Sequence, residues 1–551
     1  MMKRLPLLCV LFAVVTAASH AATPNSRPNV LLILADDMGY SDLGCYGGEI
    51  ATPNLDALAK NGLRFTQFYN TARCWPTRGA VMTGYYAQQV RRDGFGPRGA
   101  GGGGARGVRP DWAPLLSSLL RPLGYRNYHS GKWHIDGLPL QNGFDHSYLL
   151  EDHNHNFSPK NHTEDDQPMP PVKLGTGYYT ATAFADHAIQ CLKEHAEKYA
   201  DRPFFEYLCF TVPHFPLQAP PQDIAKYRAK FLRGWDEMRK ERYARMQQMG
   251  IGSSTLSAVE RDVGPPYAFP EDIKKLGPNE VNRPLAWDSL TREQREFQAT
   301  KMAIHAAMVD RMDQEIGRVV EQVRRMGQLD NTIVMFLSDN GASAEMMVRG
   351  DGHDQSAEPG SAATFLCLGP GWSTFANTPF RRHKTWVHEG GISTSFIVHW
   401  PKGIAAHGEL RHTPAHLVDI VPTVLELSGG KRPTPPAGKE GPPPPGRSLV
   451  KAFQRDVTIP RDSIWFLHEG NRALRFGDWK IVAAGVGSSW ELYDLAKDRA
   501  EMHNLAAEKP DKVRELAAEW QRQTDEYQKW AAKDAPTEKG GEGKARKKKK
   551  A

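Results

Sequence analysis

Val30-Leu31-Leu32-Ile33-Leu34-Ala35 runs into Asp36-Asp37, and Thr332-Ile333-Val334-Met335-Phe336-Leu337 runs into Ser338-Asp339-Asn340-Gly341. Both are short, apolar and β-rich, with no polar alternation. That pattern suits strands covered on both faces, as in a parallel sheet under helices. Phe204 to Phe210 and Ser395 to His399 read the same way. Between them lie helical spacings, the clearest being Met308, Met312, Ile316, Val319, Val323 and Met326, stopped at Gly327. The chain is therefore expected to form an α/β fold around a large, mostly parallel sheet. Ligands of such folds gather beyond the carboxyl ends of the strands, where both acidic clusters emerge.

The surrounding sequence bounds this core. At 551 residues and 40% hydrophobic the chain can bury a large interior. Residues 1–22 carry Lys3 and Arg4, an apolar run from Leu5 to Val15 and small residues up to Ala22, the pattern of a cleaved export signal. The run is too short for a membrane span, and Leu8 before Cys9, where a small residue is wanted, argues against lipidation. A periplasmic or secreted location is expected, reached through the export machinery. Residues 23–430 are read as the catalytic domain and 431–460, with Pro442 to Pro445, as a Pro-rich linker or surface loop. Ile464 to Phe466, Ala473 to Phe476, Trp479 to Val482 and Trp490 to Tyr493 read as short strands, and Pro510 to Trp530 as a helix. Residues 461–535 then form a smaller C-terminal α+β domain, and residues 536–551 a disordered basic tail.

The formal charge of +7 suggests nucleic acid until its location is considered. Lys544, Arg546 and Lys547 to Lys550 supply six charges and Lys3 with Arg4 two more, so the remainder stands at −1. A near-neutral body with a solvated basic end implies no specific nucleic-acid partner. Outside the signal and Cys74, four cysteines are left, Cys45, Cys191, Cys209 and Cys367. In a core-rich chain these read as small buried hydrophobes and not as a disulfide framework. Gly99 to Gly104 reads as a mobile loop. It is no phosphate-cradling loop, because no Gly-Lys-Ser/Thr follows it.

Adjacent acids at a strand end repel one another in a low-dielectric site unless a cation neutralises them. Asp36, Asp37, Asp339 and Asn340 offer only oxygen, which favours calcium, with magnesium second, over zinc. A second constellation is Cys74-Trp75-Pro76-Thr77-Arg78. Pro76 suits the first turn of a helix, whose amino end favours negative charge near Cys74, and Arg78 can fork onto an oxyanion.

Cys-x-Pro-x-Arg resembles the maturation signature of type I sulfatases, in which the cysteine is oxidised to formylglycine; Thr77 stands where the family usually has Ser. Other blocks follow in the family's order. They are Arg27-Pro28-Asn29-Val30, Asp36-Asp37-Met38-Gly39, Thr52-Pro53-Asn54-Leu55-Asp56, Gly131-Lys132-Trp133-His134, Pro213-His214-Phe215-Pro216, Ser338-Asp339-Asn340-Gly341, and Lys384 before His388-Glu389-Gly390-Gly391. Gly234-Trp235-Asp236 and Thr378-Pro379-Phe380-Arg381 are closer to the alkyl and aryl sulfatase branch. The resemblance spans about residues 27 to 505 and implies an alkaline phosphatase-like fold, with a large mixed, mostly parallel sheet sandwiched by helices.

The same resemblance implies an arylsulfatase-like sulfuric ester hydrolase acting on a sulfated small molecule or glycan. Its metal ligands would be Asp36, Asp37, Asp339, Asn340 and an oxygen on matured Cys74, holding one Ca2+ per chain. A formylglycine-generating maturation enzyme is a required partner. Attack on sulfur would come from the hydrated aldehyde. Arg78 and Lys132 would steady the diol and sulfate oxygens, His214 and Lys384 would serve the leaving oxygen, and His134 would take the proton that expels sulfate. Read singly, Lys132, His134, His214 and Lys384 are ordinary polar residues; their roles rest on the family blocks. Ser395 stands where relatives usually carry Pro, which loosens a strand entrance without removing a catalytic group. Asp152-His153-Asn154-His155 with His162 reads as a substrate-facing loop in preference to a second metal site. Two other readings stay open: a phosphonate monoester or phosphodiester hydrolase of the same superfamily, and an inactive glycan-binding relative.

Overall fold

The computed structural model describes residues 27–95, 106–251, 255–432, 440–533 and 535. The expected export signal, the Gly99 to Gly104 loop, the basic tail and part of the Pro-rich segment lie outside the described residues. The strands are β1 (Asn29–Asp36), β2 (Leu63–Tyr69), β3 (Arg126–Gly131), β4 (His146–Leu150), β5 (His162–Glu164), β6 (Gln167–Pro168), β7 (Phe204–Pro213), β8 (Thr332–Ser338), β9 (Ser393–His399), β10 (Glu409–Arg411), β11 (Ala415–His416), β12 (Ile464–His468), β13 (Asn471–Phe476), β14 (Trp479–Ala483) and β15 (Glu491–Asp494). The large sheet runs β10-β2-β9-β8-β1-β7-β3-β4-β5-β6, with β11 also on β2.

Its centre is parallel: β8, β1, β7, β3 and β4 all point one way. β9 runs against both β8 and β2, so the sheet is mixed. The absence of alternation in β1 has its cause here. Leu31, Ile33 and Ala35 enter one hydrophobic core, while Val30, Leu32 and Leu34 enter another on the opposite face. The first core is closed by the Arg292–Arg325 helix, whose buried residues include Met308, Met312, Ile316, Val319 and Val323. Thr291 and Gln294 form its capping box, satisfying amino-terminal N–H groups, and Gly327 ends the segment at φ +67°.

Strand registry sets up everything that follows. Ala35 pairs with Ser338 of β8 and Asp36 with Pro213 of β7, so the carboxyl ends of three strands are level. Asp36-Asp37, Asp339-Asn340 and Pro213-His214 therefore leave the sheet side by side. In β3, Gly131 pairs with Cys209 of β7. A Cβ at Gly131 would lie 1.9 Å from the Cys209 carbonyl oxygen, and its φ is +121°; only glycine lets the chain turn there and deliver Lys132 to the same edge.

One residue of this sheet works against stability. Glu206, within β7, is fully buried, and neither carboxylate oxygen has a hydrogen-bond partner among the described residues. Burial pushes it up to about 8, partly offset by the nearby Ser130 hydroxyl. The folded chain thus holds a proton that the unfolded chain releases above about pH 4.5, so stability falls as pH rises and levels off above about pH 8. Glu206→Gln is expected to raise stability at pH 8 by on the order of 3 kcal/mol and by much less at pH 4.5. Denaturant titrations at the two pH values check this.

The second sheet is antiparallel, β12-β13-β14-β15, and the Pro510–Ala532 helix packs on it through Leu516, Trp520 and Tyr527. It is tied to the large sheet by a buried ion network around Glu389. Lys480 Nζ lies 2.9 Å from Glu389 and 2.7 Å from Glu501, and Arg499 Nε lies 3.0 Å from Glu389. The turn after β12 also reaches the edge where the acids emerge: Asn471 Nδ2 donates to the Thr385 carbonyl at 3.1 Å, and the His468 ring lies 5.4 Å from Trp75. The five described cysteines outside the signal, Cys45, Cys74, Cys191, Cys209 and Cys367, are free thiols. No helix among the described residues is long and apolar enough to cross a membrane.

Candidate active site

At the level strand ends, acids and bases interlock. Lys132 Nζ donates to Asp36, Lys384 Nζ reaches both oxygens of Asp37 at 2.8 and 2.9 Å, and Arg78 forks onto Asp339 Oδ2 through Nε at 3.2 Å and Nη2 at 2.9 Å. All are buried. Asp37 itself sits at φ +66°, and its N–H donates to Asp339 Oδ1 at 3.4 Å, so the two acidic loops brace each other.

Glu345 completes the set. It bonds Arg73 at 2.9 Å and Lys384 at 2.8 Å. Four carboxylates (Asp36, Asp37, Asp339, Glu345) thus face four cations (Arg73, Arg78, Lys132, Lys384). Burial resists ionisation of Asp36, yet the charges of Lys132 and Arg78 hold it below the usual carboxylate range. Burial and the neighbouring Asp36 push Asp339 the other way, above that range. Burial also opposes the charge on Glu345, but Arg73 and Lys384 outweigh it and keep the group well down. Burial lowers Lys384, and Asp37 and Glu345 more than restore it, so its ammonium stays charged.

Cys74 opens the Cys74–Thr83 helix behind an extended Arg73 and is buried. Its neighbour Arg73 pairs with Glu345, and Thr77 and Arg78 of the same helix bond Asp339, so residue 74 adjoins the acid-base cluster. The helix is fixed to the acidic loop by Thr77, whose hydroxyl donates to the Asp339 carbonyl at 2.7 Å, lies 2.8 Å from Thr71 Oγ1 and accepts from Thr71 N at 3.2 Å. Serine carries the same oxygen, so the departure at Thr77 keeps the joint. Thr77→Ser is expected to change stability by less than about 1 kcal/mol and Thr77→Val to lower it by about 2 kcal/mol, read from denaturant midpoints.

Three imidazoles line the other wall. His134, at φ +55°, has its ring 5.1 Å from His153, which lies 6.1 Å from His214. Burial, then the charge of Lys132, drives His134 well below its ordinary value; burial and Lys384 do the same to His214. Both are neutral at neutral pH.

The predicted residues Asp36, Asp37, Cys74, Arg78, Lys132, His134, His214, Asp339, Asn340 and Lys384 are all brought to one edge. Two placements differ from the reading above. Arg78 is bonded to Asp339 and to the carbonyls of Lys132 and Phe210, so in this structure its guanidinium holds that carboxylate in place of an oxyanion. His214 was assigned to the leaving oxygen alone, yet its Nε2 lies 3.6 Å from Asp37 Oδ2, and Asp36, Asp37 and His214 together form a cluster of ligand-capable atoms. Glu345, Arg73 and His153 were missed. Glu345 sits only six residues past Asp339, the one hint available. His153 belonged to the His-rich stretch, which the fold divides: His155 pairs with Asp152 at 2.8 Å, and His162 bonds the Pro170 carbonyl.

The residues fit a metal. Asp36 Oδ1 and Asn340 Oδ1 are buried with no hydrogen-bond partner, an arrangement that wastes two strong acceptors unless a cation takes them. Oxygen dominates the donor set, which suits a hard divalent ion.

The family model named Sulfatase matches residues 28–430. An uncharacterized sulfatase of Schizosaccharomyces pombe is 33% identical over 548 residues, covering 91% of this chain and 94% of its own. An arylsulfatase of Klebsiella aerogenes is 30% identical over 443 residues, covering 76% of this chain and 89% of its own. Among solved structures, a protein in complex with its substrate D-glucosamine-2-N,6-O-disulfate matches with a TM-score of 0.61 at 21% identity, covering 93% of this chain and 100% of that one. The level strand ends, the acid-base cluster beside Cys74 and these likenesses agree: the chain belongs to the sulfatase family and is a sulfuric ester hydrolase of alkaline phosphatase-like fold.

Proposed function

We propose that the protein is an exported sulfatase that cleaves an aryl or carbohydrate sulfate, using Cys74 matured to formylglycine and one divalent cation, calcium in preference to magnesium. The observation that carries this reading is the pair of orphaned oxygens, Asp36 Oδ1 and Asn340 Oδ1, in the cluster that Cys74 adjoins. Asp36, Asp37, Asp339 and Asn340 would hold the ion, with His214 Nε2 in reach. Such an ion supplies Lewis acidity toward sulfate oxygens, and the aldehyde supplies a hydrated nucleophile at neutral pH.

The chain's own residues divide the remaining work. The cluster is charge-balanced, so a bound divalent ion leaves a surplus of positive charge matched to a sulfate ester gaining charge at its leaving oxygen. An ion held by Asp36 and Asp37 would compete for the carboxylates that Lys132 and Lys384 now bond, which would leave both ammonium groups able to meet a sulfate ester. Lys384 neutralises the leaving oxygen, and neutral His134 takes up the proton that returns residue 74 to its aldehyde.

Mass spectrometry of the Cys74 peptide, from a host that contains the maturation enzyme, should show the aldehyde; an intact thiol would favour binding without turnover. Parallel kinetics on 4-nitrophenyl sulfate and 4-nitrophenyl phenylphosphonate should give the higher kcat/KM on the sulfate. The opposite order would move the protein to phosphonate ester hydrolysis.

A further inference from the structure

Two arginines outside the cluster stand on rings that adjoin it. The Arg106 guanidinium lies 4.4 Å from the ring centre of Trp75, the neighbour of Cys74. The Arg349 guanidinium lies 5.6 Å from that of Phe215, which is itself stacked on His214 at 4.2 Å. Both residues are exposed. Unlike Arg73, which pairs with Glu345, neither side chain makes a hydrogen bond or ion pair among the described residues.

These two charges share one field. Arg106 keeps an exposed edge, yet burial of the rest lowers it first, and Arg73 and Arg349 add to that against Cys74 and Asp93. Trp75 beside Cys74 carries Arg106, and Phe215 stacked on His214 carries Arg349, so the two guanidiniums flank the cluster on rings next to its own residues. Like charges facing one entrance repel unless an anion lies between them, and unpaired guanidiniums stacked on rings are preorganised to receive one. Two residues after Arg349, Asp351 joins Asn154, His155 and His353 in lining a cavity of about 360 Å³, which gives room for a neighbouring sugar.

We propose that the substrate carries a second anionic group, a sulfate or a carboxylate beside the sulfate that is cleaved, and that Arg106 and Arg349 hold it. The inference rests on the sulfatase reading above and narrows it to doubly charged saccharides. The scissile sulfate enters the acid-base cluster, the second anion bridges the two guanidiniums, and the rest of the sugar lies toward the cavity past Arg349.

Binding separates this from turnover. The full chain carrying Cys74→Ala would be titrated calorimetrically, at physiological salt, with three size-matched sulfated disaccharides. One bears a single sulfate, one bears two, and one bears a sulfate and a uronic acid carboxylate. At least one doubly charged ligand is expected to bind about 10- to 100-fold more tightly than the singly charged one. The preferred one names the second anion. Adding Arg106→Gln or Arg349→Gln should weaken that ligand about 10-fold and the singly charged ligand by less than about 3-fold. Arg324→Gln, which removes the same charge from an exposed helix face, controls for general attraction and should leave the ratio unmoved. Equal affinity for all three ligands, or equal losses on singly and doubly charged ones, would overturn the proposal. Turnover of 4-nitrophenyl sulfate by the matured wild-type protein reports separately on the sulfatase reading.

Discussion

Cys74→Ala is expected to lower kcat on any sulfate ester by about 10⁴-fold or more while the protein stays folded. The two effects separate because residue 74 holds little of the structure together. Its thiol is buried, but the helix it opens is anchored by Thr77 and Arg78. Loss of one sulfur atom is therefore expected to reduce stability by only about 1 kcal/mol. The nucleophile, by contrast, has no substitute nearby, since Thr71 and Thr77 spend their hydroxyls on each other and on the Asp339 loop. Single-turnover kinetics with a thermal melt on the same sample checks both halves. Residual activity within about 100-fold of wild type would mean that another group attacks sulfur.

Arg78→Met is expected to strike stability and activity together. Arg78 is fully buried and, among the described residues, is the only side chain bonded to Asp339 Oδ2, in a place where burial and Asp36 already work against that carboxylate's charge. Removing one partner of such a pair typically costs about 3 to 5 kcal/mol, because the remaining charge is left without compensation. Asp339 would answer by taking up a proton, weakening its grip on a cation as well. Arg78→Met with Asp339→Asn should recover at least about 2 kcal/mol relative to the sum of the single substitutions, yet recover no turnover. Urea denaturation of the four proteins, with and without added calcium, gives the coupling. Additive losses would show that the pair is dispensable to the fold.

Much of this centre was legible in the residues, for a physical reason. A strand buried on both faces must be continuously apolar, so its first acid marks the place where it leaves the core. Asp36 and Asp339 announced themselves that way, and level registry did the rest. The direction of β9 was not legible, because Ser393–His399 is covered on both sides and such a strand looks the same whichever way it runs. Arg78 misled in a different manner. Its type suits an oxyanion, but nothing local shows that Asp339 will claim both of its forks. Glu345 and Arg73 escaped because an ion pair between distant segments leaves no periodicity in either. His214 was read through family order, which supplies a role and no distances, and its approach to Asp37 emerged only from the shared strand ends.

The family match stops at residue 430, yet the Glu389 network closes only at Lys480, Arg499 and Glu501. A chain trimmed at the end of the matched region would keep every reacting group and still strand a carboxylate in the interior, a few residues from Lys384. Where the family model draws an edge, electrostatics does not: Lys480 and Arg499, beyond it, are the counter-ions of Glu389, and an engineer seeking a smaller sulfatase must first make residue 389 neutral.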